Sequence, residues 1–280
     1  MDHSQDTGDT WSSFRETADI ETSNDDYATR FRGRTGAWML GVQTRLTRRL
    51  LAQCRRGTLL DVGGGHGQLA HPLADDGWDV TVTGSARSCE HRIRDLTSSG
   101  RAKFAVCDSL ALPFPDGSFD AVVCFRLLTH CDRWESLVRE LCRVSRGPVI
   151  CDYPTSQSVN AIAPMLFAAK KRIEKNTRHW RLFRHAEVDA AFAAAGARVE
   201  ARLKQFALPM ALHRALKRAP ASAFLEGCCR AAGLTALCGS PVILRARAVC
   251  QIGRTPKRAK RRAALFKSPD TDGGWRGLRG

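Results

Sequence analysis

The chain has 280 residues, of which 43% are hydrophobic. That excludes a wholly disordered protein and leaves room for one large α/β domain or two small ones. The formal net charge of +16 suits an anionic partner: nucleic acid, an acidic membrane surface or an acidic small molecule. Eleven cysteines are an odd number for a disulfide framework, and they include no Cys-x-x-Cys pair. The N-terminus has no basic-then-apolar secretion pattern, so reduced core thiols in a cytoplasmic protein are expected. Cys124, His130 and Cys131 lie close in sequence but lack a second ligand pair at zinc spacing, so no metal site is expected. No apolar run is long enough to span a bilayer.

Residues 1–26 are rich in Asp, Ser, Thr and Glu and read as a disordered acidic tail. From residue 27 to 248 the text is that of a folded domain. Val42, Leu46, Leu50 and Leu51 recur at helical spacing, and Arg55-Arg56-Gly57 ends that helix. A first strand is expected at 58–62. It runs into Asp61-Val62-Gly63-Gly64-Gly65-His66-Gly67, and a helix is expected from about 67 to 74. Gly63, Gly65 and Gly67 allow a sharp turn and close approach of a ligand to bare main chain. Free N–H groups at the start of the following helix favour an anionic group there.

Strands are expected next at 78–83, 102–106, 119–125 and 147–151, with helices at 90–96 and 134–144 between them. The apolar run Phe119–Phe125 suits a strand buried on both faces. This alternation implies a parallel sheet with right-handed crossovers, whose ligands sit at the carboxyl ends of the strands. Beyond it come an apolar-then-basic segment at 158–172, a helix at 187–195, a strand at 198–206, a basic helical stretch at 209–233 and a strand at 241–248. Residues 249–280 carry Lys257-Arg258-Ala259-Lys260-Arg261-Arg262 and read as a disordered basic tail.

Asp61–Gly67, Asp108 and Leu112-Pro113-Phe114-Pro115-Asp116-Gly117-Ser118-Phe119-Asp120 together resemble a class I S-adenosylmethionine-dependent methyltransferase. More narrowly they resemble the small-molecule branch that includes ubiquinone and menaquinone methyltransferases. The resemblance implies a Rossmann-like α/β fold: a seven-stranded sheet with its last strand antiparallel and helices on both faces. Here a helical insertion would precede the last strand. A nicotinamide-binding Rossmann domain is disfavoured, because Gln68 stands where its third glycine belongs.

The resemblance also assigns residues. Gly63, Gly65 and Gly67 would cradle the methionine part of S-adenosylmethionine, with Asp61 ordering the loop from below and His66 bordering it. Asp108 would accept from the adenine amino group, which suits a carboxylate, with the Ser109 amide at the ring. Phe125 and Arg126, after the fourth strand, complete the expected cofactor set. The family usually ends its second strand with an acid that grips both ribose hydroxyls. Ala86 stands there instead, and Ser85 offers one weaker hydrogen bond.

His130 and Tyr153, near the ends of strands four and five, are the candidate catalytic residues. Arg126 is a candidate for an anionic substrate group. The expected activity is methyl transfer to a small or lipid-like acceptor, at oxygen. The segment at 161–175 and the helix at 210–217 are candidates for a lid or for peripheral membrane contact. Two alternatives stay open: an RNA or protein methyltransferase docked by its basic tail, and a non-catalytic cofactor-fold binding protein.

Overall fold

Seven strands form: β1 (Thr58–Val62), β2 (Asp79–Gly84), β3 (Ala102–Val106), β4 (Ala121–Cys124), β5 (Pro148–Tyr153), β6 (Ala197–Phe206) and β7 (Ser240–Ala248). The computed structural model describes residues 16–158 and 181–249. The strands pair in the order β3-β2-β1-β4-β5-β7-β6. Pairs among β1 to β5 are parallel, and β7 runs antiparallel to both neighbours. This is the expected Rossmann-like sheet with an antiparallel last strand. The chain winds outward from β1 to β3 and then returns to β4 on the other side of β1. The carboxyl ends of β1 and β4 therefore flank the point where the winding reverses, which is where such sheets bind ligands.

Ten helices are described: α1 (Ala18–Thr22), α2 (Asp25–Thr29), α3 (Gly33–Leu51), α4 (Ala70–Asp75), α5 (Arg94–Ser98), α6 (Trp134–Val144), α7 (His185–Ala194), α8 (Met210–Leu216), α9 (Ala219–Ala231) and α10 (Leu234–Cys238). Successive strand residues face opposite sides of the sheet. Leu59, Val80, Val82, Val123 and Ile150 pack under Leu50 and Leu51 of α3, Leu73 of α4 and Leu96 of α5. Leu60, Val62, Val122, Cys124 and Cys151 pack on the other face, under Trp134, Leu137 and Leu141 of α6 and Val188 and Phe192 of α7.

Several boundaries differ from expectation. Within the tail expected at 1–26, the described residues 16–26 carry helix: Asn24 caps α2 by accepting the Tyr27 N–H at 2.8 Å, and Asp19, Thr22 and Ser23 are buried. Hydrogen bonds hold this polar segment, and Ala18 adds an apolar contact with the core. The helix after the glycine turn begins at Ala70, because Gly64–His66 forms a 3-10 turn between two left-handed glycines. Strand β4 is shorter than expected, leaving Phe119 and Phe125 outside it, and β5 runs on through Asp152 and Tyr153. The stretch at 209–233 breaks at Lys217, whose φ is 51°. The segment expected at 158–172, apart from Ser158, the candidate lid at 161–175 and the basic tail from residue 250 lie outside the described residues.

The Leu112–Asp120 signature is a brace. Arg143 of α6 donates to the carbonyls of Phe114 at 2.8 Å and Leu112 at 2.9 Å, and to Asp116 and Glu140. Gly117, with φ 61°, returns an N–H to the Arg143 carbonyl at 2.8 Å. Asp120 accepts from Thr58 at the start of β1 and from Arg146, and these contacts hold its carboxyl well below the usual carboxylate range. The motif thus ties β1, β4 and α6 into one unit.

Asp61 shows what β1 carries. It is wholly buried, and neither carboxylate oxygen has a hydrogen-bond partner among the described residues. Burial pushes its pKa up to about 7. Between its ordinary value near ~4 and about 7, the folded protein holds a proton that the unfolded chain releases. Stability therefore falls as pH rises through that window. Asp152, raised to about 6, contributes with the same sign. Asp61→Asn is expected to flatten the fall in urea-unfolding free energy between these limits; an unchanged slope contradicts the assignment. Arg143→Ala is expected to cost about 2–3 kcal/mol in the same measurement, since it strips charge-assisted bonds from two carbonyls and two acids. A loss below about 0.5 kcal/mol would show that the brace is idle.

Candidate active site

The site grows from the turn after β1. Gly63 and Gly67 sit at φ 69° and 73°, in the region where a side chain is strained. Gly63 donates its N–H to the Thr83 carbonyl at 3.0 Å, tying the turn to β2. Gly64, which the three-glycine spacing passes over, is the tightest position. A Cβ there would lie 2.1 Å from the Asp61 carboxyl carbon. Asp61 therefore meets the loop through contact alone, because no loop N–H among the described residues reaches its oxygens. A Cβ on Gly65 would meet the Cys89 carbonyl at 2.2 Å and Ser23 Oγ at 2.5 Å.

Beside the turn lies a cavity of about 410 Å³, bounded by His66, Gly67, Gln68 and Arg126 on one side and by Tyr27, Phe31 and Leu40 on the other. Helices α2 and α3 thus form its far wall. Arg126 enters from the end of β4 with an unusual left-handed φ of 61°. That backbone is held by its N–H, which donates to Asp152 Oδ1 at 2.6 Å. Its guanidinium lies 4.1 Å from the Phe31 ring centre and 5.6 Å from that of Tyr27, and it donates to the side-chain Oε1 of Gln68. Gln43 of α3 closes the network by donating to Asp152 Oδ2 at 3.0 Å. Asp152 is raised to about 6 by burial, opposed by the Arg126 N–H and charge.

His66 is buried, and its Nδ1 accepts the Gln68 N–H at 3.2 Å. Burial first, then the charges of Arg126 and Arg92, push its pKa down to about 3. It is therefore a neutral hydrogen-bonding group at neutral pH and a poor base.

The other expected site residues separate into groups. Ser85 follows β2, and both its N–H and its hydroxyl donate to Asp19, each at 2.5 Å. Asp108 follows β3 and accepts the Leu110 N–H at 2.9 Å, which fixes one of its oxygens to the turn. Ser109 Oγ is buried with no hydrogen-bond partner among the described residues. Phe125 packs wholly inside the core beneath α3.

Neither candidate catalytic residue lines the cavity. His130 ends a 3-10 turn at Leu128–His130 and is half-buried. Tyr153 follows Asp152 on the strand and so faces the opposite side of the sheet. Its hydroxyl is held by Arg202 Nε at 2.9 Å and His185 Nδ1 at 2.8 Å, and burial pushes its pKa up to about 12. That is a packed phenol, not a base. The assignment rested on a strand ending at Cys151; two further strand residues turn Tyr153 into core. Gln43, Gln68, Asp152 and Asp19 were missed as site residues. Gln68 and Asp152 adjoin sequence motifs, but nothing in the sequence marks Asp19 or Gln43.

Residues 60–149 match the methyltransferase domain family. A 2-methyl-6-phytyl-1,4-hydroquinone methyltransferase of Synechocystis is 34% identical over 126 residues, covering 44% of this chain and 40% of that protein. A 27-O-demethylrifamycin SV methyltransferase of Amycolatopsis mediterranei is 38% identical over 113 residues, covering 37% and 41%. The chain thus spans about two fifths of the length of these curated relatives. Among solved structures, magnesium protoporphyrin IX methyltransferase of Synechocystis, with bound S-adenosylhomocysteine, superposes with a TM-score of 0.56 at 12% identity, over 82% of this chain and 98% of that one. Geranyl diphosphate C-methyltransferase of Streptomyces coelicolor gives 0.54 at 18% identity, over 75% and 77%. The glycine turn and the braced signature thus lie within the stretch, residues 60–149, that matches the methyltransferase domain family, and the sheet order is the fold of the solved methyltransferases.

Proposed function

We propose that this chain is an S-adenosylmethionine-dependent methyltransferase acting on a small or lipid-like molecule. The observation that carries this is the juxtaposition of the left-handed Gly63–Gly67 turn with the 410 Å³ cavity at the sheet's reversal point. The residues fit the cofactor: the turn is bare main chain, and after β3 a carboxylate and a buried, unpartnered Ser109 hydroxyl stand ready. Gly63, Gly65 and Gly67 would hold its methionine part, and Asp108 and Ser109 its adenine. When bound, the cofactor supplies a methyl group on a sulfonium, which is already activated. What the chain adds is mainly position. Tyr27 and Phe31 wall the cavity, and Arg126 and Gln68 present fixed donors to an acceptor. His66 stays neutral and orients by hydrogen bonding. Transfer to oxygen fits these donors, and one relative is named for an O-methylation.

Calorimetry with S-adenosylhomocysteine tests the reading. Asp108→Asn keeps an oxygen for the Leu110 N–H but turns the outward group into a donor that opposes the adenine amine. It is expected to weaken binding about tenfold with little change in unfolding temperature. Equal binding would remove Asp108 from the site. Ending the chain after Ala248 is expected to leave transfer to small quinols and phenols intact. Loss of transfer there would favour an RNA or protein acceptor docked by the basic tail.

Peripheral membrane contact belongs to the same reading. Among the described residues no helix is long and apolar enough to cross a membrane. Helix α8 carries its polarity inside out. His213 is fully buried and paired with Glu226 at 2.9 Å, while Leu212 and Leu216 are exposed. Phe224 and Leu237, on α9 and α10, are 71% and 73% exposed. Basic residues Arg214, Lys217 and Arg218 lie in the same stretch, a composition suited to an anionic interface. Phe224→Glu with Leu237→Glu is expected to abolish co-sedimentation with phosphatidylserine vesicles while leaving S-adenosylhomocysteine binding unchanged. Undiminished sedimentation would remove these helices from the interface.

A further inference from the structure

Strand β2 ends at Gly84 without the acid that the family places two residues on, where this chain has Ala86. The structure nevertheless puts a carboxylate at that corner. Asp19 of α1 is 3% exposed. Its Oδ2 accepts the Ser85 N–H and its Oδ1 the Ser85 hydroxyl, both at 2.5 Å, and the Cys89 thiol lies 3.4 Å from Oδ2. Its Cβ lies 3.5 Å from where a Cβ on Gly63 would stand. The carboxylate therefore bridges the turn after β1 and the end of β2.

No ion pair joins Asp19 to a cation among the described residues. Every group that meets its oxygens is a donor, so the corner of β2 is built to receive an acceptor with two oxygens. We propose that Asp19 supplies the carboxylate missing from β2, so that α1 forms part of the subsite for the cofactor's two ribose hydroxyls. This rests on the methyltransferase reading above. A carboxylate offers about four acceptor directions. Ser85 and Cys89 take three, and the vicinal hydroxyls would share or replace those donors. Ser85 then acts as the positioning residue that aims Asp19.

The test is calorimetry on the full chain, with S-adenosylhomocysteine and with an analogue lacking both ribose hydroxyls. Asp19→Asn preserves shape and is expected to weaken binding of the first about ten- to thirtyfold, and of the analogue less than threefold. Adding Ala86→Asp to that variant restores an acid on β2 and is expected to recover most of the loss. Equal losses for both ligands would assign Asp19 to folding of α1 alone. Tighter binding by Asp19→Asn would make α1 a plug that the cofactor must displace. Either result overturns the proposal. A wild-type chain that unfolds cooperatively yet binds neither ligand would fail at the methyltransferase reading itself, a different result from binding that ignores Asp19.

Discussion

The rest of the site depends on how closely the chain can turn above a buried acid. Asp61 points into the sheet's α3 face, and Gly64 passes directly over its carboxyl group with no room for a Cβ. Left-handed glycines on either side let the turn fold back within four residues. Widening it by one side chain would lift the main chain away from β2. The Gly63 tie to Thr83 would be lost with it. The raised pKa of Asp61 belongs to the same constraint, because water that would solvate the carboxylate is excluded by the glycine above.

Around this turn the sheet sorts residues by parity. Asp152 and Tyr153 are neighbours in sequence but belong to different layers. Asp152 reaches Gln43 and the Arg126 main chain on the cavity side, and Tyr153 reaches Arg202 and His185 on the other. The strained Arg126 backbone is stable because Asp152 accepts its N–H and two aromatic rings flank its guanidinium. His66, beside the cavity, is held neutral, and Tyr153, in the other layer, is held protonated. That suits the proposed methyl transfer, whose electrophile arrives already activated and needs no strong base.

Charge is distributed unevenly along the chain. The acidic N-terminal segment is drawn onto the domain through Asp19 on Ser85, Asp25 on Arg92 and Glu16 on Arg133. Exposed pairs of this kind are individually weak, whereas the buried Asp19 contact is not screened by solvent. An acidic segment on a chain of net charge +16 is thus part of the domain and brings the Asp19 carboxylate to the β2 corner.

Much of this was legible in the residues themselves. Alternating apolar runs and amphipathic helices determined the sheet, since burying one face of each leaves few arrangements. The glycine spacing and the Leu112–Asp120 signature marked the domain, because turns and braces are local and demand particular residue types. What the sequence could not determine depends on distance in space. Asp19 and Ser85 are far apart in the chain, and Gln43 meets Asp152 only after α3 is laid across the sheet. The role of Tyr153 turned on where β5 stops, and hydrogen bonding to β7 lengthens that strand by two residues. Local chemistry writes turns and periodicity into the sequence; which side chains face one another across the site is decided only when the layers pack.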